Sequence, residues 1–285
     1  LASKLFRHSD PLKSFTQLSN KGNEVCFATI GDASTSEGHF WETMNAAAVQ
    51  QIPLAVFVWD DGYGISVPKN LQTTKSSISD ALAGMQKLAD TNGIEIYKVK
   101  AWDYAGMCEV FEEALQKVRE THEPALFHVE EVTQPQGHST SGSHERYKTT
   151  DRLQWEREWD CIKKMKEWII ENNLAVEEEL SQVEREIKEF VRNEKNGAWV
   201  EYESPIKEQV KEVAAALRTS SANNDQVEKL LRELEANREP NRRDVMSALF
   251  KSISVAGLTQ TSANELYNRL QKENEALYNS HLYQE

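Results

Sequence analysis

Two acidic turns in the first half of the chain could bind a metal ion. Asp32 follows an apolar segment at 25–30, and Asp61 follows a second apolar segment at 54–59. If these segments are neighbouring parallel strands, both carboxylates lie at the edge where open α/β sheets bind their ligands. Mg²⁺ takes about six oxygen ligands, so two carboxylates, a backbone carbonyl and a diphosphate would suit it. The local pattern alone also fits a helix cap and an ordinary turn.

The elements that must position these turns can be predicted from apolar spacing. The segments 25–30 and 54–59 are almost continuously apolar and of strand length, which predicts strands covered on both faces of a parallel sheet. Apolar side chains recur at helical spacing between them, at Phe40, Trp41, Met44, Ala47 and Ala48. Further strands at 94–99 and 125–132 flank a predicted helix at 107–118. We therefore expect a doubly wound α/β fold with a parallel sheet.

Composition excludes several classes of protein. The chain has 285 residues and a net charge of -13, from 33 Lys and Arg against 46 Asp and Glu, which argues against a nucleic-acid partner. It has no apolar run long enough to suggest a membrane span. Cys26, Cys108 and Cys161 are far apart, so we expect neither disulfides nor a zinc site, and a reducing cytoplasm fits best. The sequence opens within a predicted helix, so we expect a fragment or a trimmed product.

The second half of the chain reads as helical. Charged residues are more frequent after 150, and the apolar residues there fall at helical spacing. Predicted helical segments lie at 155–169, 176–191, 206–217, 227–234 and 245–258. We predict three parts, namely a diphosphate-binding α/β domain at 1–150, a helical segment at 151–200, and a helical linker or docking segment at 201–285; the family resemblance described below implies that the first is only part of a domain and that the second is its tail.

The stretch 31–66 opens with Gly-Asp-Ala-Ser-Thr-Ser-Glu-Gly and closes with Asp-Asp-Gly-Tyr-Gly-Ile-Ser. It resembles the thiamine diphosphate signature of the 2-oxo acid dehydrogenases, in the alpha-type subunit of the decarboxylating component. The resemblance implies that Asp32, Asp61 and the backbone carbonyl of Tyr63 bind Mg²⁺. The cofactor contacts that it implies are Gly31, Ala33, Ser34, Ser36, Ile65 and His138. Ala33 replaces the family's second glycine and Asp60-Asp61 replaces Asn-Asn, so we expect cofactor binding that depends strictly on Mg²⁺.

A second motif follows the fourth predicted strand. The residues Gly137-His138-Ser139-Thr140-Ser141 resemble the active-site loop of the same family. The resemblance makes His138 and Ser139 the catalytic candidates, with the histidine helping acyl transfer to a lipoyl group, a task that suits imidazole. The His-Ser-Thr-Ser sequence favours the branched-chain type over the pyruvate type. Four other histidines receive no role because none has a neighbour at metal-ligand spacing, namely His39, His122, His128 and His144.

The function implied by the resemblance is oxidative decarboxylation of a 2-oxo acid, with thiamine diphosphate and Mg²⁺ as cofactors. The expected partners are a beta-type, pyrimidine-binding half, in cis or in trans, and a lipoyl-bearing acyltransferase component, within an oligomer. We expect the 285-residue chain alone to be inactive. The alternatives are a pyruvate dehydrogenase component, a transketolase-like transferase that uses thiamine diphosphate, and a non-catalytic interaction module.

Overall fold

The computed structural model describes residues 1–138, 143–220, 224–257 and 261–278. The chain forms two compact units, of which the first ends at Leu180 and the second begins at Ser181. This boundary lies between the predicted limits of 150 and 200. The strands are β1 Cys26–Gly31, β2 Leu54–Trp59, β3 Tyr63–Gly64, β4 Val67–Pro68, β5 Glu95–Lys100 and β6 Ala125–Glu130. The helices are α1 Ala2–His8, α2 Gly38–Gln50, α3 Ile78–Ala81, α4 Tyr104–Thr121, α5 Thr150–Glu158, α6 Cys161–Glu171, α7 Glu177–Ser220, α8 Asp225–Ala236, α9 Arg242–Ala256 and α10 Ser262–Tyr278.

The first unit is built on a four-stranded parallel sheet with the order β1-β2-β6-β5. One face of β2 packs with α2 around Met44, and the other face packs with α4 around Phe127 and Val118. Helices therefore cover both faces, which confirms the prediction of a parallel α/β sheet. The register pairs Gly31 with Trp59, so β1 and β2 end level with each other. This level ending brings the two acidic turns to the same edge.

The prediction that β1 is covered on both faces was wrong. Among the described strands, β1 pairs with β2 alone and lies at the edge of the sheet. Phe27 is 55% exposed, although its ring stacks on Phe57 with the centroids 6.2 Å apart. The apolar run predicts a strand correctly here, but an apolar run does not show whether a strand lies at the centre or at the edge of its sheet.

The helical half differs from its prediction in where the helices end. The aromatic segment 155–169 contains a helix break, because the carboxylate of Asp160 accepts the amides of Ile162 and Lys163 and caps a new helix, α6. The predicted helices at 176–191 and 206–217 belong to one helix, α7, of 44 residues, which spans about 66 Å. Pro205 lies inside α7, where a sequence rule predicts a break.

The second unit has an apolar core of its own. The side chains that form this core come from α7, α8, α9 and α10, and α10 was not predicted. They include Ile206, Val213, Leu217, Val227, Leu234, Val245, Leu249, Ile253, Leu266 and Leu270. Among the described helices of the whole chain, none is both long and apolar enough to cross a membrane.

Candidate active site

The turns after β1 and β2 line one cavity of about 420 Å³ together with the segment after β6. The amide of Asp32 donates to the carbonyl of Trp59 across 3.1 Å, which joins the first two turns directly. The residues lining the cavity are Gly31, Asp32, Ala33, Ser34, Trp59, Asp61, Tyr63, Gly64, Ile65, Val132, Thr133, Gln134 and His138. Parallel strands that end together therefore produce a cavity at the carboxyl edge of the sheet, where α/β folds bind ligands.

Asp32 contributes a buried carboxylate to this cavity. Its side chain is buried, and its Oδ2 atom has no hydrogen-bond partner among the described residues. Burial raises the pKa of Asp32 to about 7, and the negative charges of Asp60 and Asp61 add to this effect. A buried carboxylate oxygen without a partner is costly, and a cation bound at that oxygen would remove the cost.

Asp61 and Tyr63 form the second wall of the cavity. The Asp61 Oδ1 atom accepts the amide of Tyr63 at 3.0 Å, and the Asp61 carbonyl accepts the guanidinium of Arg152 at 2.8 Å. Burial raises the pKa of Asp61, against the lowering effects of the Tyr63 amide and the Lys148 charge. The Lys148 Nζ atom and the Arg152 guanidinium lie 5.2 Å and 5.6 Å from the centroid of the Tyr63 ring. The turn is thus held from both its side chains and its backbone.

A buried ion pair behind Tyr63 was missed by the sequence analysis. The Lys148 ammonium donates to both carboxylate oxygens of Glu156, at 2.8 Å and 2.9 Å, and these side chains are 1% and 0% exposed. Lys148 also donates to the carbonyl of Gln134, and Arg152 donates to Glu156 within α5. This group therefore connects the segment that precedes His138 with the turn that carries Asp61. The spacing of four residues between Arg152 and Glu156, which places them on one helix face, could have predicted part of this group from the sequence.

Asp60 has a set of partners that is separate from the cavity. Its Oδ1 atom accepts the amide of Gly62, and its Oδ2 atom accepts Lys69 at 2.7 Å and lies 2.9 Å from His128 Nε2. The opposite ring nitrogen, Nδ1, is 2.8 Å from the hydroxyl of Ser79. Burial alone would raise the pKa of Asp60, but the hydrogen bonds from His128 and Lys69 outweigh it and lower that pKa.

The structure brings most of the predicted site residues to the cavity. Asp32, Asp61, Tyr63 and Ile65 line it, as do Gly31, Ala33, Ser34 and His138. Ser36 does not line it, and its hydroxyl donates to the carbonyl of Gln72. Ser139 lies outside the described residues. In the described segments, no three His, Cys, Asp or Glu side chains lie close enough together to hold a metal ion. The predicted metal site therefore has two side-chain ligands, Asp32 and Asp61, and needs the backbone carbonyl of Tyr63 as its third ligand.

The backbone around the cavity differs in detail from the prediction. The turn after Asp32 continues as a short 3₁₀ helix, Ala33–Ser36, and α2 begins only at Gly38. Ala33 does not require the left-handed backbone that glycine permits, so its replacement of glycine is sterically tolerable. A Cβ atom at Gly64 would lie 2.7 Å from that of Ala33, which explains the glycine there. Ile65 has a φ of 58°, in the left-handed region that β-branched residues rarely adopt.

The sequence model of the dehydrogenase E1 component family matches residues 4–207 of the chain. The chain belongs to this family. Its match covers the whole sheet and the cavity, and it ends where the apolar core of the second unit begins at Ile206. The family assignment and the geometry therefore concern the same part of the molecule.

Individual members of the E1 family are similar to this chain over part of its length. The chain is 26% identical over 179 residues to the pyruvate dehydrogenase E1 component subunit alpha of Rickettsia bellii, covering 63% of this chain and 52% of the relative. The corresponding subunit of Rhizobium meliloti is 26% identical over 191 residues, covering 66% of this chain and 52% of the relative. That of Porphyra purpurea is 26% identical over 165 residues, covering 58% of this chain and 44% of the relative. The chain spans about half the length of these curated relatives. Their names refer to pyruvate and give no support to the branched-chain preference.

Proposed function

We propose that the protein is the alpha-type part of a thiamine diphosphate-dependent 2-oxo acid dehydrogenase. The observation that carries this proposal is the unpartnered Oδ2 atom of Asp32 inside a cavity that Asp61, Tyr63 and His138 also line. Membership of the E1 component family supports the cofactor. A helix cap or an ordinary turn would not need three separate chain segments to meet around a buried carboxylate.

The residues of the cavity fit a diphosphate only together with a cation. Two carboxylates at this wall repel a diphosphate, and Mg²⁺ between them would reverse that repulsion. Asp32, Asp61 and the carbonyl of Tyr63 would hold the ion. Gly31, Ala33 and Ser34 line the cavity and would face the diphosphate, while Ile65 and His138 would contact the rest of the cofactor. Ser36 would reach the diphosphate only if its hydroxyl left the carbonyl of Gln72. Cofactor binding should therefore depend strictly on Mg²⁺.

The chain's own contribution to the chemistry is anchoring and proton transfer. When bound, thiamine diphosphate supplies the nucleophilic carbon and the electron sink for decarboxylation. The exposed imidazole of His138 lies at the cavity wall, and imidazole is the side chain that most often serves as a general acid or base. We assign it the delivery of a proton to the lipoyl sulfur that leaves as the disulfide of the lipoyl ring opens during acyl transfer. Ser139, its neighbour in sequence, is the second catalytic candidate.

Pyruvate is the substrate that the relatives' names favour, and we propose it ahead of the branched-chain 2-oxoisovalerate. Because the matched relatives are named as alpha subunits, we propose a beta-type, pyrimidine-binding half as a partner, in cis or in trans. A lipoyl-bearing acyltransferase component would accept the acyl group. We also propose that the 285-residue chain alone is inactive, because only one side of the cofactor site belongs to it.

The test uses the full-length protein together with its beta-type half. Thiamine diphosphate binding should be measured by calorimetry with Mg²⁺ and with EDTA, and turnover should be compared for pyruvate and 2-oxoisovalerate. We expect tight binding only with Mg²⁺, and faster turnover of pyruvate. Failure to bind the cofactor under both conditions would reject the enzyme proposal in favour of a non-catalytic interaction module, and faster turnover of 2-oxoisovalerate would reject only the choice of substrate.

The role of His138 can be tested by measuring the two half-reactions separately. In the complete enzyme, His138→Ala should reduce NADH production through the assembled complex by about 100-fold, the usual contribution of a positioned acid or base. Decarboxylation with an artificial electron acceptor should fall much less. Equal losses in both assays would make His138 a residue that positions the cofactor.

A further inference from the structure

Asp60 and Asp61 are adjacent in sequence but have opposite environments. Asp61 lines the cavity, whereas Asp60 is 2% exposed and does not line it. Both carboxylate oxygens of Asp60 are already bonded, to Gly62 on one side and to Lys69 and His128 on the other. The Asp60 carboxylate is therefore directed at these partners and not into the cavity, and its partners determine where the next residues lie.

The hydrogen-bond partners of His128 determine which tautomer its neutral ring adopts. A carboxylate only accepts hydrogen bonds, so the Nε2 atom of His128 must donate to Asp60. In a neutral imidazole the Nδ1 atom is then the acceptor, and the hydroxyl of Ser79 must donate to it across 2.8 Å. The nearest carboxylate oxygen of Glu130 is 3.8 Å from Nδ1, which is beyond hydrogen-bond distance. Ser79 thus fixes the tautomer that Asp60 requires.

This network joins three parts of the first unit. Ser79 belongs to α3, His128 belongs to β6, and Asp60 opens the turn after β2. The amide of Asp60 donates to the carbonyl of Val129, and the Asp60 carbonyl accepts the amide of Val132. The start of the turn is therefore bound to β6 by its backbone and by its side chain, at the point where the turn leads to Asp61.

We propose that His128 is a positioning residue for the cation site, acting through Asp60 on the turn that carries Asp61 and Tyr63. This inference rests on the proposed function, because it assigns the cation to that turn. Lys69 is 34% exposed and has a flexible side chain, so it can hold a charge near Asp60 but cannot fix its orientation. His128 is fully buried and planar, and it holds the Asp60 carboxylate away from the cavity. Released from His128, that carboxylate could rotate and compete with Asp61 for the ion.

The chain provides a matched control. His122 is also a buried histidine, 3% exposed, and its Nε2 atom bonds to the carbonyl of Gly22 rather than to a residue of the cavity. Its φ is 60°, a conformation that asparagine tolerates well. His122→Asn and His128→Asn therefore each remove one buried imidazole. His128→Gln is the rescue variant, because the glutamine amide reaches the position of Nε2 whereas the asparagine amide reaches only that of Nδ1.

The experiment measures Mn²⁺ affinity by electron paramagnetic resonance in the full-length protein, with saturating thiamine diphosphate. We expect His128→Asn to weaken Mn²⁺ binding by about tenfold or more, as for other residues that orient metal ligands. His128→Gln should recover most of the affinity, and His122→Asn should lower the melting temperature without changing the affinity. Equal affinity for His128→Asn and wild type would overturn the inference, as would an equal loss in His122→Asn.

A second measurement separates this inference from the proposed function. Deuterium uptake of the segment 60–64, measured without metal, should increase in His128→Asn and not in His122→Asn. If wild-type protein does not bind Mn²⁺, the proposed function fails, and unchanged uptake would then reject the positioning role as well. If His128→Asn does not fold, Ser79→Ala replaces it, because it keeps the imidazole and removes only the donor to Nδ1. Wild-type affinity and uptake in Ser79→Ala would also overturn the inference.

Discussion

The two compact units bury different kinds of side chain. The first unit buries a set of polar and charged residues, namely Asp32, Thr35, Asp60, Ser79, His122, His128, Lys148 and Glu156. In the described part of the second unit, Ser252 is the one buried polar residue, and the core is otherwise apolar. Most of the charged groups in the first set lie around a single sheet edge. Buried charges stabilise a fold poorly, so their concentration there indicates that this edge is organised for binding.

The comparison predicts that substitutions at the sheet edge change ligand affinity, whereas substitutions in the second unit change stability alone. The largest effect should come from Asp32→Ala. If Asp32 is a direct ligand, as we propose, its loss should weaken Mg²⁺-dependent binding of thiamine diphosphate by more than about 100-fold, since residues that merely orient ligands already account for about 10- to 100-fold. Calorimetry of the full-length protein measures this affinity. Asp90→Ala, at an exposed site, is the control, and unchanged affinity in Asp32→Ala would remove Asp32 from the metal site.

The buried ion pair should give the next largest effect. Glu156→Gln leaves the Lys148 ammonium buried without its counter-charge, and we expect a loss of about 3 to 5 kcal/mol in the free energy of unfolding. Denaturation in urea measures this loss. The double variant Lys148→Met with Glu156→Gln should recover part of it, because Met and Gln are both uncharged and the pair then leaves no buried charge. No recovery would mean that the lost stability comes from packing and not from charge.

The second unit should show the reverse behaviour. Leu249 is fully buried in its core, and Leu249→Ala should lower the free energy of unfolding by about 2 to 5 kcal/mol while the Mn²⁺ affinity stays unchanged. Phe250, the next residue, is 55% exposed and serves as the control, since Phe250→Ala should have a much smaller effect. A loss of Mn²⁺ affinity in Leu249→Ala would contradict the separation of the two units.

The smallest effect should be a pH dependence of stability at His122. Burial lowers the pKa of His122 in the folded chain below its ordinary value of 6.5. At a pH between the folded pKa and 6.5, the unfolded chain therefore binds a proton that the folded chain does not. The free energy of unfolding should therefore fall as the pH drops below 6.5, by at most about 1.4 kcal/mol per pH unit for one proton. Urea denaturation of wild type and His122→Asn measures this pH dependence, over a range from about pH 5 to about pH 8 that includes the ordinary pKa of histidine. Identical slopes would exclude His122 as the source.

Sequence reasoning succeeded where one local pattern determines the structure. β2 was predicted with its observed limits, because a strand buried on both faces is apolar at every position. The two turns that carry Asp32 and Asp61 were placed at one edge because parallel strands must end on the same side. The partners of Asp60 could not be predicted in this way. His128 and Ser79 are distant in sequence, and only the packing of β6 and α3 brings them to Asp60.

The left-handed backbone of Ile65 affects how this protein could change over time. A β-branched residue in that conformation costs about 1 to 2 kcal/mol, and glycine would adopt it without this cost. Ile65→Gly would thus be an easy route to a more thermostable chain, but it would remove an apolar side chain from the wall of the cavity. If the cavity binds the proposed cofactor, selection for heat resistance and selection for ligand binding act in opposite directions at this position. A lineage that adapts to high temperature would have to gain its stability elsewhere, and the apolar second unit offers that opportunity.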